Sequence, residues 1–415
     1  MSYQLSQSTM PETSAANQKL RPDAKPSRVL IVAPTLDYLG GQAVQATRLL
    51  ERLSGEPSLK VKFLPVNPRL PGPLRVLQRI KYVRTVVTSL LYWASLLVRI
   101  PAYDVIHIFS ASYWSFLLAP TPAILVAKLY GKKTLLNYRS GEAEDHLKRW
   151  RTALPIIRLA DKVVVPSLYL VKVFGSFGVQ AEVAPNTLDL TRFAFRERQP
   201  LRPTLLSNRN LEPLYNVECV LYAFALVQRQ APEARLIVVG DGCERAGLQA
   251  LSVKLGLEHV EFFGKVPPKD MPAFYDRADI FINASDIDNM PVSHLEAFAC
   301  GLPVVTTDAG GIPYIVTHER TGLMVACGDY NALARACLQL LEDGDLAARL
   351  IRAARAECER YAWASVRSRW LYFYRELTPV HNAQRNPEVA MAAAPMTPDP
   401  IRAHPEQKQT VAPDM

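Results

Sequence analysis

Two carboxylates eight residues apart, Asp288 and Glu296, flank the predicted start of a helix in the run Asp288-Asn-Met-Pro-Val-Ser-His-Leu-Glu296-Ala-Phe-Ala-Cys-Gly301-Leu-Pro303. Pro291 suits the first helical position, Gly301 suits a helix end, and Pro303 opens the following strand. The first-turn amides around Met290 to Ser293, with Asn289, Pro291 and Val292 beside them, can cradle a phosphate through the helix dipole. One carboxylate can then meet a sugar on one side of the phosphates. The other can accept paired ribose hydroxyls, because a carboxylate offers two acceptor oxygens. Taken singly, each has a plainer reading, Asp288 as an N-terminal cap and Glu296 as a solvated side chain.

A second candidate is the pair Gly40-Gly41, after the apolar run RVLIVA and before QAVQATRLL. Glycine tolerates positive φ and lets backbone approach a ligand closely, although a glycine pair is as often a plain turn.

The elements that must position these residues alternate in type. Short β-branched runs at 28–33, 61–65, 104–109, 133–138, 162–165 and 181–184 are separated by helical patterns. A second set follows at 203–208, 234–240, 259–263, 279–284, 303–307 and 322–325. Such alternation predicts α/β architecture with two doubly wound Rossmann-like domains whose ligands bind beyond the strands' carboxyl ends, in a cleft between them. The expected division is a disordered tail over 1–27, a first domain over 28–198 and a second over 199–360. A terminal helix over 361–378 and a Pro-rich disordered tail over 379–415 complete it. The charged segment 196–203, RERQPLRP, reads as the linker.

Several spaced motifs in one order carry a resemblance. Asp288 and Glu296 resemble the acidic-x7-Glu motif of the retaining family-4 glycosyltransferases, which have the two-domain GT-B fold. The same order holds Gly40-Gly41, Pro185-Asn186 with Asp189 and Phe193, and Gly240-Asp241-Gly242. Phe263-Gly264-Lys265-Val266, Asp308-Ala-Gly310-Gly311-Ile-Pro and Thr321-Gly322-Leu-Met-Val follow. The resemblance covers about residues 28–378. It implies a metal-independent hexosyltransferase without a cofactor, moving a sugar from a nucleoside-diphosphate sugar to a hydroxyl acceptor. By that resemblance Glu296 holds the ribose, Asp288 contacts the donor sugar and Arg209 neutralises the diphosphate. The turn at Lys265 and Val266 surrounds the base, Gly40-Gly41 touches donor phosphate or acceptor, and the final helix crosses back onto the first domain.

Two departures stand out. The lysine that normally accompanies the arginine is replaced by Tyr215 or Asn216. The first-domain histidine is absent from Asn137-Tyr138-Arg139-Ser140-Gly141-Glu142, where Arg139 or Glu142 could face the cleft. A degenerate member that binds nucleotide sugars as a scaffold is therefore the alternative; an epimerase on the same fold is a third reading.

Composition narrows the rest. Hydrophobic residues make up 49% of the 415, which excludes wholesale disorder. The six cysteines show no CxxC spacing, so reduced thiols are expected and no metal site. P-loop, helix-turn-helix, zinc-finger and RNP patterns are missing, which argues against nucleic-acid binding. Residues 1–200 carry 27 Lys and Arg against 13 Asp and Glu, which points to an anionic partner for the first half. Within it, residues 74–98 form an apolar helix with Arg75, Arg79, Lys81 and Arg84 near its start. One reading buries it in the core; the other lays it on an anionic membrane, its apolar part being too short to cross. With no apolar leader in the first 27 residues, a cytoplasmic protein, peripheral on the membrane's inner face, is the expectation.

Overall fold

The computed structural model describes residues 26–36, 41–69 and 81–378. Gly40, Arg75, Arg79 and the two expected tails, except residues 26 and 27, lie outside the described residues, as does the side chain of Lys81.

All twelve expected strands are present. The first sheet holds β1 (Ser27–Ala33), β2 (Leu59–Pro65), β3 (Val105–Ser110), β4 (Lys133–Tyr138), β5 (Lys162–Val165) and β6 (Glu182–Val183), in the order β2-β1-β3-β4-β5-β6. The second holds β7 (Thr204–Asn208), β8 (Arg235–Val239), β9 (Val260–Gly264), β10 (Ile280–Ile282), β11 (Val304–Thr307) and β12 (Leu323–Val325), in the order β12-β11-β10-β7-β8-β9. Every pairing in both sheets is parallel. The strand order reverses between β1 and β3 in one sheet and between β7 and β10 in the other. These switch points are where such sheets open a crevice at the carboxyl ends.

The helix Trp363–Leu377 returns from the second domain to the first. Its Trp370, Phe373 and Tyr374 pack against Val29, Ile31, Val105, Phe109, Leu135 and Val164 of the first sheet. Ion pairs fix it there: Arg367 to Glu56 at 2.6 Å, Arg369 to Glu182 at 2.7 Å and Glu376 to Lys162 at 2.8 Å.

The segment 196–203 is not a loose tether. Arg196, Arg198 and Arg202 converge on the buried carboxylate of Asp279, and Arg198 also donates to the carbonyls of Ala278 and Tyr275. An otherwise unpaired buried charge at Asp279 is thereby satisfied, and the crossing chain is pinned.

The helix Lys81–Arg99 buries only one face. Tyr92, Leu96 and the following Ile100 enter the core, whereas Val86, Leu90, Trp93, Leu97 and Val98 stay exposed. Core burial of the whole helix is therefore not what the fold provides. Length is corrected as well: Val83–Ala102 spans 20 residues at a mean hydropathy of 1.4, long and apolar enough to cross a bilayer.

Candidate active site

A cleft of about 810 Å³ lies between the two sheets, lined from the first domain by Gly41, Gln42, Gln45, Arg48, Arg139 and Glu142. The second domain contributes Arg209, Tyr215, Lys265, Val266, Asp288, Asn289, Met290, Pro291, Val292, Ser293 and Glu296. The structure thus brings together every described residue that the sequence nominated.

The helix Val292–Cys300 enters from β10 and points its first turn at the cleft; Pro291 caps it from just outside, and Gly301 closes it at φ 75°. Its first amides have no intrahelical acceptor, as in any helix. Asp288 precedes that terminus at the β10 end of the switch point and Arg209 follows β7 on the other side. Their side chains form a buried ion pair. Burial pushes the Asp288 carboxyl up and the Arg209 charge pulls it back. The guanidinium also donates to Ser293 Oγ at 3.4 Å and stacks on the Tyr215 ring at 4.1 Å. The position expected to hold a second cation therefore supplies an aromatic face that orients the first.

Close backbone packing holds the Asp288 loop. A Cβ on Gly311 would lie 1.6 Å from the Asn289 carbonyl oxygen, and one on Gly310 would lie 2.3 Å from that of Asp288. Only glycine allows this approach, which explains the Asp308-Ala-Gly310-Gly311 motif. Asn289 and Met290 are held from the first domain. Asn289 pairs with Ser167, and the Met290 carbonyl accepts from Asn186 Nδ2 at 2.9 Å.

Glu296 stands one turn into the helix and is 9% exposed. Its Oε2 accepts from Tyr275 at 3.0 Å and its Oε1 from Arg48 of the helix Gly41–Ser54 at 3.2 Å. Arg48 also reaches the Thr187 carbonyl at 3.5 Å, which Gln45 shares at 3.3 Å. Neither Arg48 nor Tyr275 was singled out from the sequence. A signal existed for Arg48: with Gln45 it is polar at helical spacing on a stripe of buried Ala43, Ala46, Leu49 and Leu53.

Three buried histidines stand back from the cleft. His294 is buried against Phe281 and bonds Thr306 at 2.9 Å; burial and the Arg209 charge hold its pKa far below the usual value. His146 meets the Tyr138 hydroxyl at 2.7 Å, and burial lowers it to about 4. His107 lies between Asn137 and Tyr374, lowered to about 3 by burial and then by Arg139. Arg139 and Glu142, the two left open from the sequence, both face the cleft.

Comparison with known proteins bears on the family and the fold. The model of the family described as glycosyl transferases group 1 matches residues 192–357. The GDP-mannose-dependent alpha-(1-6)-phosphatidylinositol monomannoside mannosyltransferase of Mycobacterium tuberculosis (strain ATCC 25618 / H37Rv) is 30% identical over 283 residues, covering 61% of this chain and 69% of that protein. The like-named protein of Mycolicibacterium smegmatis is 34% identical over 227 residues, 49% of this chain and 59% of that relative's length. Among solved structures, sucrose-phosphate synthase of Thermosynechococcus elongatus aligns with a TM-score of 0.69 at 21% identity, covering 85% of this chain and 99% of that one. Anabaena HepE, solved with UDP and glucose, aligns with a TM-score of 0.65 at 19% identity, covering 83% of this chain and 98% of that one. At those identities the solved structures establish the GT-B fold alone.

Proposed function

This chain belongs to the group 1 glycosyl transferases, and from that premise we propose that it moves a hexosyl group from a nucleoside-diphosphate sugar to a hydroxyl acceptor with retention at the anomeric carbon. The observation that carries the reading is one constellation. Arg209 and Asp288 meet at the switch point before a helix N-terminus, with Glu296 one turn inside it. Ribose hydroxyls take the free lone pairs of Glu296, the diphosphate meets the helix amides and Arg209, and the sugar lies toward Asp288. Asp288 pairs with Arg209, so a bound diphosphate shares that cation.

In the reaction the acceptor oxygen bonds to the anomeric carbon as the bond to the β-phosphate oxygen breaks. The acceptor proton passes to the departing phosphate on the same face. Arg209 and the helix terminus stabilise the charge that develops there, a role in which fixed donors outperform water. No enzymic nucleophile and no metal ion take part.

The M. tuberculosis relative is described as using GDP-mannose and a phosphatidylinositol acceptor. That description supports GDP-mannose as the first donor to try and a lipid-linked or surface-glycan acceptor. An anionic membrane surface on the cytoplasmic side is the matching location. The exposed apolar residues of helix Lys81–Arg99 and the neighbouring Trp114, Leu118 and Leu129, with the basic first half, support it.

The test is a panel of UDP-, GDP- and ADP-sugars, read first by thermal stabilisation and then by NMR of the hydrolysis product. One donor should stabilise the protein and release sugar with its anomeric configuration kept. An inverted product would overturn retention. Stabilisation without hydrolysis or transfer would favour the scaffold, and neither response would end the nucleotide-sugar reading.

A further inference from the structure

We propose that Arg139 is a recognition site for an anionic substituent, a carboxylate or a phosphate, on one of the two molecules that meet at the reaction centre. The proposal rests on the transferase reading and adds a substrate class to it.

The cleft's other arginines are neutralised. Arg48 pairs with Glu296 and Arg209 with Asp288. Arg139, at the end of β4, has no carboxylate within 4.0 Å among the described residues, although it lines the same cleft and is partly buried. Burial lowers its guanidinium to about 9. A desolvated cation without a counter-ion is costly, and a ligand anion would remove that cost.

The guanidinium is also held in place. Its Nη1 donates to Asn137 Oδ1 at 3.2 Å, and it lies 5.3 Å from the Phe109 ring centre. That bond fixes the Asn137 amide with Nδ2 toward His107 Nε2, at 3.0 Å, where it donates. The neutral imidazole must then carry its proton on Nδ1 and donate to the Tyr374 hydroxyl, at 2.7 Å. A chain of donated hydrogen bonds therefore runs from Arg139 to Tyr374 of the returning helix and uses one of the guanidinium's five donors. Among the described residues the others meet no acceptor, and the planar fork matches a carboxylate or phosphate in two places.

The position selects the reacting ends over the diphosphate. A Cβ on Gly141, two residues on, would lie 3.2 Å from Ile287 Cγ2 and 3.4 Å from the Asn289 amide. The Arg139 loop thus abuts the Asp288 loop, where donor sugar and acceptor meet, and belongs to the domain opposite the diphosphate cradle.

The experiment is calorimetric titration of the full chain, Arg139→Gln and Arg139→Lys. UDP, GDP and ADP alone come first: one should bind wild type and both variants alike, which also shows that the variants fold. Next, UDP-glucuronate is compared with UDP-glucose and GDP-mannuronate with GDP-mannose. Glucose 6-phosphate is then compared with glucose at saturating UDP or GDP. One arm should show at least tenfold preference for the anionic partner, lost in Arg139→Gln and partly kept in Arg139→Lys; which arm it is identifies the source. No preference in any arm, or one that survives Arg139→Gln, overturns the proposal. So does a tenfold loss of UDP or GDP binding itself, which would assign Arg139 to the diphosphate. Failure of wild type to bind UDP, GDP or ADP would instead strike the transferase reading.

Discussion

Arg48 and Glu296, 248 residues apart in the chain, form an ion pair of 3.2 Å across the interdomain cleft, with Tyr275 bonded to the other carboxylate oxygen. The carboxylate assigned to the ribose is thus oriented from both domains.

Glu296→Ala should lower kcat/KM by roughly 2–5 kcal/mol, since it removes a buried charged acceptor and strands Arg48. Glu296→Gln should lose less, because its amide oxygen still accepts from Tyr275. Steady-state kinetics with the cognate donor decide it, and unchanged turnover in the alanine variant would remove the assignment.

Arg209→Ala should act on kcat more than on KM, by about 3 kcal/mol, the scale of losing one fixed donor to developing charge. Tyr215→Leu should cost about 1 kcal/mol through the lost stack, while Tyr215→Phe should be silent. Equal effects of the two Tyr215 variants would mean that the hydroxyl, and not the ring, is what matters.

Stability should fall between pH 7.5 and 5.5. His107 and His146, with pKa values lowered to about 3 and 4, and His294, held far below the usual value, stay neutral when folded but take up protons near 6.5 when unfolded. The unfolded chain binds more protons in that window, so acid favours it, by about 1.4 kcal/mol per histidine at pH 5.5. Asp161 and Asp279, held near 2, titrate below it. Asp288, raised by burial, works in the opposite direction. Urea midpoints at the two pH values measure the slope; His146→Gln should remove about a third of it.

Sedimentation with vesicles tests the membrane surface. The protein should pellet with anionic but not neutral vesicles, and release with salt, since each basic residue near such a leaflet contributes about 1 kcal/mol. Arg84→Glu with charge reversal at Arg75, Arg79 and Lys81, or Trp93→Ser with Val98→Ser, should weaken it. Protein left in the supernatant at low salt would end the membrane reading and leave the transferase reading intact.

Gly311→Ala should abolish activity and lower Tm by several degrees, because its methyl has no room beside the Asn289 carbonyl. An active variant of unchanged Tm would show that the Asp288 loop is not held there.

The fold was legible because parallel strands buried on both faces read as apolar runs, and all twelve came through. The loops after β1, β7 and β10 were legible from glycine, arginine and carboxylate spacing. Arg48 and Tyr275 were not, because each acts on Glu296 from a distant segment, and no local pattern encodes a pairing made by tertiary packing. Asp279 shows the same limit: its three arginines gather over a segment that by composition reads as linker. Helix Lys81–Arg99 failed differently, since hydropathy counts apolar residues without saying which face has a neighbour.

The return of helix Trp363–Leu377 to the first sheet has a consequence for biosynthesis. β1 and β3 are made before the whole of the second sheet, yet Trp370, Phe373 and Tyr374, which seal one side of them, are made after it. At about 5–20 residues per second, some 10–35 s of translation separate the end of the first domain from its seal. The nascent first domain therefore carries a partly uncovered apolar sheet face throughout synthesis of the second, and its core is completed only once the returning helix has been made.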